Sequence, residues 1–271
     1  MVTKVNDSTE KIIINGQVRN ASEYDQYESP VKAYVYDVIR VIDGRPLFAA
    51  EHYSRIVNSL AATGDAPDFS LPEMCMCIEM LVQANCVRND NVKIIVDIDN
   101  GVQNSYMLLT HSRYPDEAAY RDGVDTGLFS AVRINPNIKS RNQALRDATN
   151  QAIKSGGLFE VILVDEQGCI TEGSRSNIFF IKDGTVYTCH ESGVLPGITR
   201  QKIIQICREK QIEVIERYIP ASTLKDYDAA FISGTSPKVL PIRRIGDVKL
   251  DVNDDTLRKI MELYDIEIEK S

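Results

Sequence analysis

The sequence contains few of the residues, and none of the short motifs, that commonly bind metal ions or nucleotides. It has three histidines, and its six cysteines show no paired CxxC spacing. A histidine-rich metal centre, a zinc site and a disulfide framework are therefore not indicated, and we predict no metal site. The motifs HExxH, GxxxxGKS/T and GxGxxG are also absent, which argues against a metalloprotease and against a nucleotide-binding module.

An excess of basic residues and long apolar runs are missing as well. The formal net charge is -8 at pH 7, so we expect no broad nucleic-acid surface, which would need clustered Lys and Arg. No run reaches the roughly 18 to 20 apolar residues that a membrane span needs. The polar first segment, MVTKVNDSTEK, has no apolar signal core, and we therefore expect a cytoplasmic protein.

Strand-like and helix-like patterns mix along all 271 residues. Asn-Gly and Asp-Gly turn signals between strand-like runs predict hairpins. The spacing of apolar residues predicts helices in AAEHYSRIVNSLAATG, from about Pro72 to Val87 and from about Ser140 to Ser155. The mixture predicts an α+β (mixed α/β) fold with a smaller N-terminal α/β domain at 1–114, an interdomain linker at 115–123 and a larger C-terminal domain at 124–271.

Three segments carry groups that could bind an anion or stabilise a charged group of a ligand. TEGSRSNIFF places the carboxylate of Glu172 and several small polar side chains directly before an apolar strand-like run. GVLPGITR marks the start of a helix, and FISGTSP is a hydroxyl-rich turn after a strand. Arg55, on the first predicted helix, could bind a phosphate through its planar guanidinium. Taken singly, these features also fit an ordinary cap, turn or solvated arginine.

Lys139 strengthens the interpretation of these segments as parts of one binding site. It follows an Asn-Pro turn in NPNIKSRNQAL and precedes a predicted helix. Along the chain, a lysine, an acidic residue, a helix start and a hydroxyl-bearing turn then follow one another. Together these groups could supply the contacts that pyridoxal phosphate requires.

The same segments resemble the signature of the class IV pyridoxal-phosphate aminotransferases, the group of branched-chain and D-amino-acid aminotransferases and aminodeoxychorismate lyase. The similarity covers most of the chain, because the following stretches occur in the family's order: YDVIRVIDG, EHYSRI, IKSRN, FEVILVDEQGCITEGSRSNIF, GVLPGITR and SGTSPKVLPI. The resemblance implies the two-domain fold type IV of pyridoxal-phosphate enzymes, similar to D-amino-acid aminotransferase. It also implies that the C-terminal domain binds the cofactor and that the protein is a homodimer.

The resemblance implies roles for individual residues. Lys139 would bind the cofactor aldehyde covalently and then act as general base, moving a proton between the substrate α-carbon and the cofactor C4′ carbon. Glu172 would face the pyridine nitrogen and keep it protonated, with Ser176 and Asn177 holding its loop in place. Further residues would hold the cofactor. Leu195 would pack against the ring, and the following residues would lie at the phosphate: Arg55, Gly197, Ile198, Thr199, Gly234 and Thr235.

Substrate choice depends on fewer residues. Tyr36 and Arg40 follow the branched-chain pattern, and His111 stands at about the place of the arginine that binds the substrate carboxylate in D-amino-acid aminotransferases. We therefore favour transfer of an amino group from an apolar, branched-chain-like amino acid to a 2-oxo acid. The RVIDG pattern keeps aminodeoxychorismate lyase, which forms 4-aminobenzoate and pyruvate, as an alternative. D-amino-acid aminotransferase is a further alternative, and a non-catalytic protein that binds pyridoxal phosphate is a remote one.

Overall fold

The computed structural model describes residues 10–26, 34–110, 114–132, 137, 139 and 142–271, so the predicted substrate residue His111 lies outside the described residues. The described chain forms two compact units. The first unit contains the described residues up to 110 together with Lys139, and the second contains the remaining described residues. None of the helices in these ranges combines the length and the apolar character that crossing a membrane requires.

The first unit is built on an antiparallel sheet of six strands in the order β2-β1-β6-β5-β3-β4. Its strands are β1 (Lys11–Ile14), β2 (Gln17–Asn20), β3 (Val35–Ile42), β4 (Arg45–Pro46), β5 (Asp90–Asp99) and β6 (Val102–Thr110). The predicted hairpin turns occur where expected. For example, Asn15 and Gly16 between β1 and β2 both have positive φ, at 48° and 77°, the conformation that an Asn-Gly hairpin turn adopts.

Two helices, α1 (Ala49–Ala61) and α2 (Leu71–Ala84), pack on this sheet. Alternate residues of β3 are fully buried, so that Val35, Asp37, Ile39 and Val41 share one face and Tyr36 and Arg40 share the other. The apolar residues of the first face join the core made with the two helices. Asp37 is therefore a carboxylate placed in an apolar row, on the helix-covered face of the sheet.

The second unit contains a mixed sheet of ten strands in the order β12-β11-β10-β14-β15-β7-β8-β9-β13, with β16 also paired to β15. The strands are β7 (Val124–Ser130), β8 (Glu160–Val164), β9 (Cys169–Gly173), β10 (Asn177–Lys182), β11 (Thr185–Thr188), β12 (Val214–Glu216), β13 (Ile219–Pro220), β14 (Ala229–Gly234), β15 (Lys238–Ile245) and β16 (Val248–Lys249). Its helices are α3 (Glu117–Asp122), α4 (Gln143–Gly156), α5 (Ile198–Glu209) and α6 (Asp255–Glu269).

Buried strands in the middle of this sheet form the interior of the second unit. Phe179 of β10 and Phe231 of β14 are paired across the strands, and their rings stack with centroids 4.8 Å apart. Such stacking of fully buried aromatic rings fixes the register of the two strands. As a result, the polar residues at the ends of these strands, Asn177 and Ser233, also lie opposite each other.

The segment 115–123, which the polar composition suggested as a linker, includes α3 and groups with the second unit. The Asp116 side chain caps this helix by accepting a hydrogen bond of 2.8 Å from the Ala119 N–H. At the start of α4, Asn142 plays the same capping role for Leu145, so that helix begins at Gln143. Short polar residues therefore mark helix starts in both places.

Candidate active site

The buried carboxylate of Asp37 contacts three basic side chains of the first unit. Asp37 is fully buried. Arg55 of α1 donates two hydrogen bonds to it, from Nε to Oδ2 at 2.8 Å and from Nη2 to Oδ1 at 2.6 Å. His52, one helical turn before Arg55, places its Nδ1 2.9 Å from Oδ1. A guanidinium that binds both oxygens of a buried carboxylate has a well-defined orientation.

The electrostatics of this cluster favour an ionised Asp37. Burial by itself would raise the pKa of Asp37, but the neighbouring basic groups, above all Arg55, outweigh it and hold this pKa well below its ordinary value. Burial lowers the pKa of His52, and the attraction of Asp37 only partly opposes that shift. At neutral pH the cluster therefore contains a carboxylate and a neutral imidazole.

Lys139 lies beside the same strand. Its carbonyl oxygen accepts a 3.0 Å hydrogen bond from the Tyr36 N–H. Its Nζ lies 3.9 Å from Asp37 Oδ1 and 5.7 Å from the centroid of the Tyr36 ring. Of the residues predicted from the sequence, the structure thus brings Tyr36, Arg55 and Lys139 together around Asp37, and it places Arg40 on the same face of β3 as Tyr36.

A second lysine, not expected from the sequence, lies on the Tyr36 face of the sheet. Lys93 of β5 donates a 3.0 Å hydrogen bond to the hydroxyl of Tyr34. Its Nζ lies 5.0 Å from the centroid of the Tyr34 ring and 5.3 Å from that of Tyr36. Tyr36 therefore has Lys93 and Lys139 within cation–π range of its ring, which makes this face suitable for an anion.

In the second unit, the predicted site residue Glu172 lies near the end of β9. The residue is 2% exposed. Its Oε2 accepts hydrogen bonds from the Leu195 N–H at 3.1 Å and from Asn177 Nδ2 at 3.4 Å. Asn177 Nδ2 also donates to the Leu195 carbonyl at 2.9 Å, which ties the segment before α5 to the start of β10. Three predicted residues, Glu172, Asn177 and Leu195, are therefore joined directly.

The loop after Glu172 is held by another buried carboxylate, Glu160 of β8, which sequence reasoning missed. Glu160 accepts hydrogen bonds from the Arg175 N–H at 2.5 Å and from Ser176 Oγ at 3.0 Å. Burial raises the pKa of Glu160, although the hydrogen bonds from the loop oppose that shift. Ser176 thus supports the loop through Glu160, while Asn177 is the residue that contacts Glu172.

The start of α5 has the features of an anion site. Gly197 caps this helix without a side chain, and the first N–H groups of a helix have no intrahelical partner. Thr199 Oγ1 accepts a 3.3 Å hydrogen bond from the hydroxyl of Tyr264 in α6, another residue that the sequence did not indicate. A Cβ at position 197 would overlap Asn177 Oδ1, so only glycine leaves Asn177 in place.

The other predicted turn contains a buried hydroxyl that lacks a hydrogen bond. Among the described residues, Ser233 Oγ has no partner and is shielded from solvent. Ser233 lies opposite Asn177 in the sheet and directly precedes Gly234, the last residue of β14, which Thr235 follows. An orphaned hydroxyl beside Asn177, a glycine-lined helix start and a buried carboxylate form a donor and acceptor set that fits a phosphorylated pyridine.

Comparisons with known proteins identify the family of the chain. Residues 34–245 match the family model for amino-transferase class IV. The D-alanine aminotransferase of Bacillus licheniformis is 27% identical over 251 residues, which cover 87% of this chain and 88% of that protein. A branched-chain-amino-acid aminotransferase of Pseudomonas aeruginosa is 35% identical over 144 residues, covering 51% of this chain and 47% of that one.

Comparison with solved structures shows the same family resemblance in the fold. The branched-chain aminotransferase of Thermoproteus uzoniensis, solved with norvaline, superposes with a TM-score of 0.82 at 21% identity, over 96% of this chain and 95% of that one. The chain therefore has the fold of the fold type IV aminotransferases, as the sequence predicted. It belongs to the class IV aminotransferase family, whose members use pyridoxal phosphate, and it is an enzyme of that class.

Replacement of Gly197 by Ala tests the packing at the start of α5. The added methyl group would displace Asn177 and weaken its hydrogen bonds to Glu172 and Leu195, so we expect affinity for pyridoxal phosphate to fall by about tenfold or more. Fluorescence titration of cofactor-free protein measures this affinity. Gly193→Ala is the matched control, because its Cβ would meet only Cys189 Sγ at an ordinary 3.5 Å. Equal affinities of the two variants would contradict the expected role of Gly197.

Proposed function

We propose that this enzyme uses pyridoxal phosphate to transfer an amino group from an apolar L-amino acid to a 2-oxo acid. The observation that carries the proposal is the buried carboxylate of Glu172, oriented by Leu195 and Asn177 next to a helix start. A buried carboxylate with this support is suited to pair with a protonated ring nitrogen. When bound, the cofactor would supply an electron sink for the pair of electrons released when the substrate α-proton leaves.

Lys139 would provide both the covalent attachment and the proton transfer. Its amine lies beside Tyr36 and Asp37, where the hydrogen-bonded backbone of Tyr36 fixes the position of the lysine main chain. A lysine held in this way can attach the cofactor aldehyde and, once released, take the α-proton and return it at C4′. The same side chain would thus act as covalent partner and as general base.

Other predicted residues would hold the remaining parts of the cofactor. In the second unit, phosphate would bind at the first N–H groups of α5, with the Thr199 hydroxyl as an additional donor. For Arg55, in the first unit, a phosphate contact is what the family resemblance implies. Gly197 and Gly234 would allow close approach of the backbone, Thr235 would add a hydroxyl, and Leu195 would pack against the ring. This assignment is supported by the family's use of pyridoxal phosphate and by the orphaned hydroxyl of Ser233.

Tyr36 and Lys93 give a reason for the proposed substrate class. The Lys93 ammonium beside the Tyr34 and Tyr36 rings would attract the substrate carboxylate, while the rings provide apolar surface for its side chain. Arg40 lies on the same face of β3 and would contribute at longer range. The similarity to branched-chain-amino-acid aminotransferases supports this choice, and the similarity to D-alanine aminotransferase keeps D-amino acids as the second candidate. By family resemblance we also propose a homodimer.

Lys139 should carry the cofactor. Borohydride reduction of the protein loaded with pyridoxal phosphate, followed by peptide mass mapping, should place the pyridoxyl adduct on the peptide that contains Lys139. Lys93→Arg should retain that adduct, because Lys93 is assigned to the substrate and not to the cofactor. An adduct on any other lysine would contradict the assignment.

Glu172→Gln preserves the shape of the side chain but removes the negative charge that keeps the ring nitrogen protonated. Cofactor should still bind, while the half-reaction with an amino acid should slow on the order of 100-fold or more. Stopped-flow absorbance measures that rate. Glu191→Gln, which alters an exposed glutamate of the same unit, should react at the wild-type rate. If Glu172→Gln reacts as fast as the control, Glu172 has only a structural role.

A substrate panel decides which chemistry the site performs. Apolar L-amino acids should convert the visible absorbance of the bound cofactor to that of the pyridoxamine form, with D-amino acids and (R)-amines reacting more slowly. Lys139→Ala serves as the control without catalytic amine and should convert with none of them. Release of pyruvate from aminodeoxychorismate, without reaction of any amino acid, would establish the lyase alternative instead. Cofactor binding with no reaction in the whole panel would support the non-catalytic alternative.

A further inference from the structure

Asp37 is a fully buried charged residue of the first unit, yet neither the proposed proton transfer nor the proposed cofactor contacts use it. Its carboxylate lies on the helix-covered face of β3 and contacts three basic side chains: His52, Arg55 and Lys139. We infer that Asp37 is a positioning residue that fixes the Arg55 guanidinium and stabilises positive charge on the Lys139 nitrogen. This inference rests on the proposed function, because it concerns the lysine and the arginine assigned there.

The geometry at Arg55 supports the first part. Nε and Nη2 of Arg55 bind the two oxygens of Asp37, at 2.8 and 2.6 Å, and the side chain of Arg55 is 6% exposed. An arginine side chain has several rotatable bonds, and a bidentate contact with an immobile carboxylate removes that freedom before a ligand arrives. Asp37 is itself held by the Val38 N–H at 2.6 Å, so the pair is anchored to the backbone of β3.

The positions of the charges support the second part. Asp37 Oδ1 lies 3.9 Å from Lys139 Nζ, and the side chain of Lys139 is 12% exposed. An opposite charge at this distance, in a poorly solvated place, favours the protonated form of a nitrogen. Arg55, which binds Asp37, and Lys93, which lies 5.3 Å from the centroid of the Tyr36 ring, are cations and act in the opposite sense. The carboxylate of Asp37 counteracts them at the Lys139 nitrogen.

His52 completes the cluster without changing its charge. Its imidazole lies 2.9 Å from Asp37 Oδ1 and is buried, and burial lowers the pKa of this histidine. A neutral ring that donates Nδ1–H to the carboxylate holds Asp37 from a third direction. The two cations that contact this carboxylate, Arg55 and Lys139, can themselves attract an anionic ligand such as a phosphate.

Asp37→Asn tests the inference in the full chain loaded with pyridoxal phosphate. The pH at which the visible absorbance of the Lys139-bound cofactor changes reports proton loss from the bonded nitrogen. We expect this pH to fall by about 1 unit or more in the variant, because the stabilising carboxylate is lost. The dissociation constant for pyridoxal phosphate, measured by fluorescence, should rise by about tenfold or more because Arg55 is no longer fixed.

Asp125→Asn is the matched control. Asp125 of β7 also accepts two hydrogen bonds from one arginine, Arg243, at 2.8 and 3.0 Å, and contacts a second cation, Arg244. It is outside the proposed cofactor contacts, so this variant should titrate and bind cofactor like the wild type. Asp37→Glu keeps the charge but lengthens the side chain, and should titrate within about half a unit of wild type while binding cofactor more weakly.

The outcomes distinguish failure of the proposed function from failure of the role inferred for Asp37. If wild-type protein does not attach pyridoxal phosphate at Lys139, the proposed function itself is contradicted. If it does, but Asp37→Asn shows the wild-type titration and affinity, only the role of Asp37 is overturned. Circular dichroism checks the fold of each variant. If Asp37→Asn does not fold, Asp37→Glu decides, because wild-type cofactor affinity in that variant would overturn the positioning role.

Discussion

The free-energy cost of burying a carboxylate is the constraint around which both units arrange their functional residues. An isolated ionised carboxylate in a protein interior costs several kcal/mol unless donors or cations surround it. Asp37, Glu160 and Glu172 are all 4% exposed or less. Different partners stabilise the three carboxylates. Arg55 binds Asp37, and N–H and hydroxyl groups of a loop bind Glu160. A backbone N–H and a side-chain amide donate to Glu172.

The surroundings shift the pKa values of two of these carboxylates in opposite directions. The cations around Asp37 hold its pKa low, whereas burial raises the pKa of Glu160 despite the opposing hydrogen bonds and the charge of Arg175. An ionised Asp37 orients charged side chains, while Glu160 organises the loop that follows Glu172 by hydrogen bonds. In our proposal Glu172 pairs with a ligand cation. The same residue type thus performs three distinct tasks because its surroundings differ.

Much of the site could be predicted from sequence because its signals are local. Each of these signals is contained in a few consecutive residues: the Asn-Gly and Asp-Gly turns, the glycine before α5 and the polar cluster around Glu172. Lys139 is indicated by its place before a helix. Asp37, Lys93 and Glu160 carry no such signature. Asp37 interrupts an apolar row in β3, and its partners come from α1 and from Lys139, so only the folded chain reveals their contact. The helix at 117–122 lies in a polar stretch whose composition predicts a linker, and the local signal for its start is the capping residue Asp116.

The path of the chain through the first unit has a consequence for dissecting this protein. Lys139 belongs to the first unit although it follows β7, a strand of the second. A fragment that stops at the end of β6 would contain Asp37, His52 and Arg55 but would lack the amine that lies beside them. Exchange of the first unit between related enzymes therefore requires three junctions, one after β6 and one on each side of Lys139. A chimera with a single junction after β6 would join a lysine to a carboxylate from a different parent.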